Sequence, residues 1–288
     1  MNRCWIPLIA LALACGPKEA PTAAAAVAAA PAADAASGLR AEADAAWEQR
    51  GDKAQLQAAL TRYAQLHAAA PQDREVLVRL TRGYYFLGDA HESEKDTKLA
   101  TWQTAMDWGQ KCVQLNADYT ALLSKGNETD ETAVRVATKD DVPCLYWTAT
   151  ALGKWSKLNG ISKSLKNLPT VKAYIAKVAD LQPDYFHGAA DRYWGAYYAA
   201  IPSFAGQDLN KSKEHFDKSI AMAPDYLGTK VLMAENWSVK KQDRASYESL
   251  LKDVLAADAA KIPEIAPEMA AEQAKAKELL AQADELFR

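Results

Sequence analysis

VKAYIAKVADLQPDYFHGAADRYWGAYY, residues 171–198, holds the punctuation on which the reading of the whole chain turns. Pro183 lacks an N–H donor and crowds the turn before it, so one helix ends there and another can start beyond it. The mark recurs as Pro71-Gln72-Asp73, Ala117-Asp118-Tyr119 and Pro224-Asp225-Tyr226. Self-similarity of this kind signals a repeat. Twelve places before each mark stands Ala59, Ala105, Val171 or Ser212, and eight places before stands Tyr63, Gly109, Ile175 or Phe216.

A small residue followed by a large one ahead of a Pro resembles the second helix of a tetratricopeptide repeat. Leu152-Gly153, and Trp194-Gly195 with Tyr198, resemble its first helix. The marks lie 46, 66 and 41 residues apart, longer than the roughly 34 of the regular motif. The excess is assigned to loops at 88–97, 124–141 and 159–169, which are rich in Gly, Asn, Asp, Ser and Lys. A terminal helix from about Pro267 to Arg288 opens with Pro at a tolerated position, and its polar face would cap the stack. The expectation is an all-α, irregular tetratricopeptide-like solenoid over residues 39–288.

Composition agrees. The 288 residues are 49% hydrophobic and 25% charged, with net charge −3 and frequent Ala, Leu, Lys, Glu and Gln, residues that lose little freedom in a helix. The acidic balance argues against nucleic acid, which requires clustered Lys and Arg. No apolar run approaches a bilayer span.

Residues 1–14 read as a secretory signal, with Arg3 ahead of an apolar core too short for a mature span. Ala12-Leu13-Ala14-Cys15 resembles a bacterial lipobox, so Cys15 is expected to be the acylated first residue; the alternative is ordinary cleavage with Cys15 an incidental thiol. Residues 16–38 contain twelve Ala and three Pro and cannot build a core. They are expected to form a tether reaching roughly 25 Å as a flexible chain. Gly16, where an Asp would signal inner-membrane retention, favours the outer membrane facing the periplasm. Cys112 and Cys144 either bond, closing a loop worth roughly 3–4 kcal/mol, or remain separate buried thiols. Spacing leaves both open.

Three stretches carry a more specific likeness: DVPCLYW (141–147) with LGKW (152–155); PDYFHGAADRYWGAYY (183–198); and KSKEHF (211–216) with PDYLGTKVL (224–232). Together they resemble the TatT component family of TRAP transporters, densest over 141–240 and sharpest in the string from His187 to Gly195. The resemblance implies a helical-repeat periplasmic lipoprotein. Its expected partner is a TRAP solute-binding protein, with homo-oligomers and a hydrophobic ligand path also implied. Ala189-Ala190 stands where the family string has Gly-Pro.

The aromatic inventory is the main physical clue to a site. Tyr84, Tyr85, Tyr146, Trp147 and Trp155 cluster, and Tyr193/Tyr197 and Trp194/Tyr198 form i,i+4 pairs on adjacent faces. Packing between helices accounts for any one of them. The surplus points to a groove for an apolar ligand, since Tyr and Trp present apolar area with a polar tip. His187, Gly188, Asp191 and Arg192 form the polar group of the string. A helix starting near Gly188 would put Asp191 in its first turn, within hydrogen-bond spacing of His187, as a cap or a ligand contact. No nucleophile motif, zinc motif or phosphate loop is present, so no enzyme, cofactor or metal is expected. Lys163 to Lys166 reads as a solvated edge. The expected function is a non-enzymatic lipoprotein adaptor of a TRAP-type system. A scaffold lipoprotein of an outer-membrane assembly, without a small-molecule ligand, is the alternative.

Overall fold

The computed structural model describes residues 23–126 and 128–287, which are helix, turn and loop with no strand among them. The protein is all-α, as expected. The signal segment, Cys15 and the first part of the tether lie outside the described residues. In order the helices are α1 (Ala23–Glu48), α2 (Lys53–Ala69), α3 (Arg74–Phe86), α4 (Lys95–Val113), α5 (Ala117–Ser124), α6 (Asp130–Ala133), α7 (Val142–Asn159) and α8 (Ile161–Leu181). Then follow α9 (Tyr185–Ala200), α10 (Leu209–Met222), α11 (Leu227–Met233), α12 (Val239–Lys241), α13 (Arg244–Ala256), α14 (Ala266–Ala281) and α15 (Ala283–Leu286). Leu39–Arg288 forms one compact unit.

Each punctuation mark falls where one helix gives way to the next. Pro71 lies between α2 and α3, Pro183 between α8 and α9, and Pro224 between α10 and α11, while Ala117 opens α5. Side chains beside the marks also cap. Asp73 accepts from the Val76 amide at 3.1 Å and Asn116 from the Tyr119 amide at 3.0 Å; such caps contribute about 1 kcal/mol each. All eight positions counted back from the marks are buried. Gly109 stands where the repeat pattern has a large residue, and the reason is a close approach. A Cβ there would lie 2.2 Å from the Thr148 hydroxyl, so α4 and α7 touch backbone to side chain. One turn away Cys112 and Cys144 are bonded across the same two helices, with Cα atoms 5.4 Å apart.

Four expectations need correction. The stretch 159–169 is not a loop: Gly160, at φ +104°, makes the whole turn and α8 starts at Ile161. Ile161, Leu165 and Leu168 recur at helical spacing, and the donor missing at Pro169 is on an exposed residue. Residues 88–91 continue α3 as a π-helical turn, Leu87–His91, rather than leaving it. From Ala23 the chain is helical rather than flexible coil, because Ala runs have the highest helix propensity even without a core. Last, the polar stripe of α14 does not face water. Glu268 and Lys275 reach residues 186–218 positions earlier in the chain, and Glu272, between them at i+4, pairs with Lys275.

Candidate functional site

A cavity of about 510 Å³ opens within the compact unit, walled mostly by apolar atoms from α3, α7, α8, α9, α11 and α14. Part of the wall is aromatic. The Trp147 ring sits 4.7 Å from Phe186 and 5.5 Å from Tyr85, and its indole N–H donates to the Tyr185 hydroxyl at 3.1 Å. Tyr193 and Tyr197 continue this wall along α9, with ring centroids 6.2 Å apart.

Against this wall lies a charged and cross-braced cluster. Glu268 of α14 takes Arg50 and Arg82 together, each at 2.7 Å, and Arg50 is 1% exposed. Two cations on one carboxylate hold its pKa below the usual range, although burial alone would raise it. Arg82 also lies over the faces of Trp47, Trp147 and Phe186 at 5.0–5.3 Å. Asp89, carried on the π turn after α3, bonds Lys154 of α7 at 2.5 Å and Lys275 of α14 at 3.3 Å. Burial opposes its ionisation, but the two lysines outweigh burial and hold it well below the carboxylate range. A second π turn, Ala234–Ser238, brings Glu235 and Asn236 to the same cavity. π turns displace one residue from the helical register, and here each aims an acidic side chain inward.

At the centre, three consecutive residues take left-handed backbone: Phe186 (φ +41°), His187 (φ +61°) and Gly188 (φ +69°). Such a turn costs roughly 1–2 kcal/mol per non-glycine residue. Arg192, 4% exposed, holds it by donating to the Phe186 carbonyl at 3.2 Å and the His187 carbonyl at 3.0 Å. It also donates to the Tyr146 hydroxyl at 3.1 Å and stacks on Tyr226 at 4.3 Å. The left-handed turn swings Phe186 into the aromatic wall and lays the His187 ring parallel to Tyr226, 5.0 Å away. Burial, then Arg192 and Arg82, lower the pKa of His187, which favours the neutral ring.

Of the residues singled out from sequence, Tyr85, Tyr146, Trp147, Arg192, Tyr193 and Tyr197 line the cavity. Tyr84, Trp155, Trp194, Tyr198, His187, Gly188 and Asp191 do not. Trp194 and Tyr198 occupy the face of α9 next to the cavity wall. Asp191 pairs not with His187 but with His215 of α10, at 2.7 Å, and Tyr198 stacks on that histidine. The His187–Asp191 pairing is lost because the left-handed turn takes His187 out of helical register with Asp191. Sequence reasoning passed over Phe186, Tyr226, Arg82, Asp89, Glu268, Glu272 and Lys275. The i, i+4, i+7 spacing puts the last three on one face of α14 but does not show that this face turns inward.

The fold and cavity define a class: an all-α protein whose helices enclose a mixed aromatic and charged chamber. No helix among the described residues is long and apolar enough to cross a membrane. The chain matches the family model of the TRAP transporter T-component over residues 52–287, and it belongs to that family. Among curated proteins, none matches it.

Proposed function

We propose that the protein is a non-enzymatic accessory component of a TRAP-type transport system, docking a periplasmic solute-binding subunit and taking an apolar ligand into its cavity. Acylation at Cys15 would keep it on the periplasmic side of the outer membrane. Family membership supports the transport role. The observation that carries the ligand reading is the chamber itself: about 510 Å³ walled by Trp147, Phe186, Tyr193 and Tyr197. Pockets of this size with mainly apolar walls and a few placed polar groups are the usual form of a small-molecule site. The purely structural scaffold leaves the chamber without a purpose.

A hydrophobic fluorescent probe, N-phenylnaphthylamine, tests the ligand reading. Wild type is expected to enhance its emission, Ala196→Trp to abolish the effect by filling the chamber, and Trp194→Ala, outside it, to retain it. No enhancement by wild type, or equal enhancement by Ala196→Trp, overturns the reading. Pull-down from a detergent extract of the native cell should recover a solute-binding subunit, and its persistent absence removes the docking claim.

A further inference from the structure

Between Asp141 and Asp180 the chain carries six lysines and no acidic residue, although the protein as a whole is acidic. This basic stretch is α7 and nearly all of α8, and its middle, from Lys154 to Lys166, flanks the mouth of the chamber. Lys154, Lys157, Ile161 and Leu165 line that opening from one side, Ile201 and Pro202 from the other. Ile161 is 64% exposed and Leu165 54%, while Phe204, two residues beyond Pro202, is 91% exposed. Of the five large hydrophobic residues exposed among the described residues, Ile161 and Leu165 line this opening and Phe204 follows two residues after the lining residue Pro202. Lys163 and Lys166 are exposed beside them and have no ion-pair partner among the described residues. Two acids on this side are already engaged, Glu235 with Lys157 at 3.7 Å and Asp208 with Lys211 at 3.9 Å.

We propose that this mouth is a membrane-contact surface, which lays Ile161, Leu165 and Phe204 into the headgroup region of an anionic bilayer with Lys163 and Lys166 on the lipid phosphates. Apolar side chains flanked by lysines at helical spacing are the pattern of interfacial insertion. A docking protein of ordinary composition would have to bring acidic groups to the lysines; an anionic bilayer offers apolar and negative layers together. The contact adds to any lipid anchor and would open the chamber directly onto the lipid phase. It rests on exposure and charge, and so stands whether or not the chamber takes a ligand.

The test uses the mature chain with Cys15→Ser, so that no acyl group contributes, in co-sedimentation with vesicles. Phosphatidylglycerol-rich vesicles should bring the protein down and pure phosphatidylcholine vesicles should not, with binding weakening as salt rises. Each lysine near an anionic surface contributes roughly fivefold in affinity, so Lys163→Glu with Lys166→Glu should weaken binding by roughly 25-fold or more. Ile161→Asp with Phe204→Asp should also weaken it, and a circular dichroism melt would show these exposed changes leave the fold intact. Absence of wild-type binding to anionic vesicles, or equal binding by both double variants, overturns the proposal. Vesicle indifference together with loss of solute-binding-subunit capture in the same variants would overturn it in favour of a protein contact.

Discussion

Arg192→Met tests whether the left-handed turn at Phe186–Gly188 is held from outside or is stable by itself. The guanidinium makes three hydrogen bonds, two of them to the carbonyls of Phe186 and His187. Met fills much of the volume but donates nothing, leaving those carbonyls buried without that donor. An orphaned buried acceptor costs about 1–3 kcal/mol. The loss is bounded, because relaxing the turn would release the roughly 1–2 kcal/mol stored at each of Phe186 and His187. Removing a buried cation that has no carboxylate partner among the described residues also offsets part of the loss. The expected net destabilisation is about 2–4 kcal/mol, which for a domain of this size lowers Tm by roughly 4–16 °C. Lys at 192 should not rescue it, since one ammonium cannot fork to three oxygens as a planar guanidinium does. Thermal unfolding followed by circular dichroism gives the stability. Tryptophan emission reports the turn, because the Phe186 ring lies 4.7 Å from Trp147. A destabilisation below about 1 kcal/mol, within the range of ordinary surface substitutions, would refute the strut reasoning.

Three further outcomes follow from the same geometry. Asp89 has its pKa depressed, so its contribution is present above the unfolded carboxylate value of about 3.9 and is lost as pH falls through the folded one; Lys275 has its pKa raised, so its contribution is present below about 10.4 and is lost as pH rises through the folded value. Denaturant titrations should therefore show a plateau for this pair between about pH 5 and 10, with Asp89→Asn costing about 3–5 kcal/mol on the plateau and flattening the acid limb. Gly109→Ala should cost about 1–3 kcal/mol by driving a methyl into Thr148, and Thr148→Ala in the same chain should recover part of it in a double-mutant cycle. Replacing Cys112 and Cys144 by Ala should lower stability by roughly 3–4 kcal/mol, and added reductant should lower wild type but not the double variant.

The helix boundaries were legible because their causes are local. Pro71, Pro183 and Pro224 stop helices by lacking a donor, and Asp73 and Asn116 start them by supplying an acceptor three residues ahead. The eight counted positions were legible as buried because helix contact repeats at a fixed spacing. Where expectation and structure part, the cause is distant. Pro169 looked like a boundary, yet Leu165 and Leu168 before it and Val171 and Ile175 after it keep the helical spacing across it. Asp191 and His187 had the spacing for a bond, but His215 on the next helix takes the carboxylate.

The α14 stripe shows why the site was harder to read than the fold. Glu268, Glu272 and Lys275 on one face read locally as a solvent side, and it is Arg50, Arg82 and Asp89, from the first third of the chain, that pair with Glu268 and Lys275 and turn that face inward. Two of these contacts, Glu268 with Arg82 and Lys275 with Asp89, also border the chamber, so the closure of the helical array and the formation of its polar wall are one event. A variant that frees α14, such as Glu268→Ala, should therefore open the chamber as well as lose stability. Breaking the pair with Arg50 and Arg82 leaves two cations without their carboxylate, at a cost of about 3–5 kcal/mol. Hydrogen exchange would separate the possibilities. If α14 amides lose protection while those of α7 and α8 keep theirs, closure is a distinct step held by this charge cluster. Uniform loss across all helices would mean that the cluster contributes only to global stability.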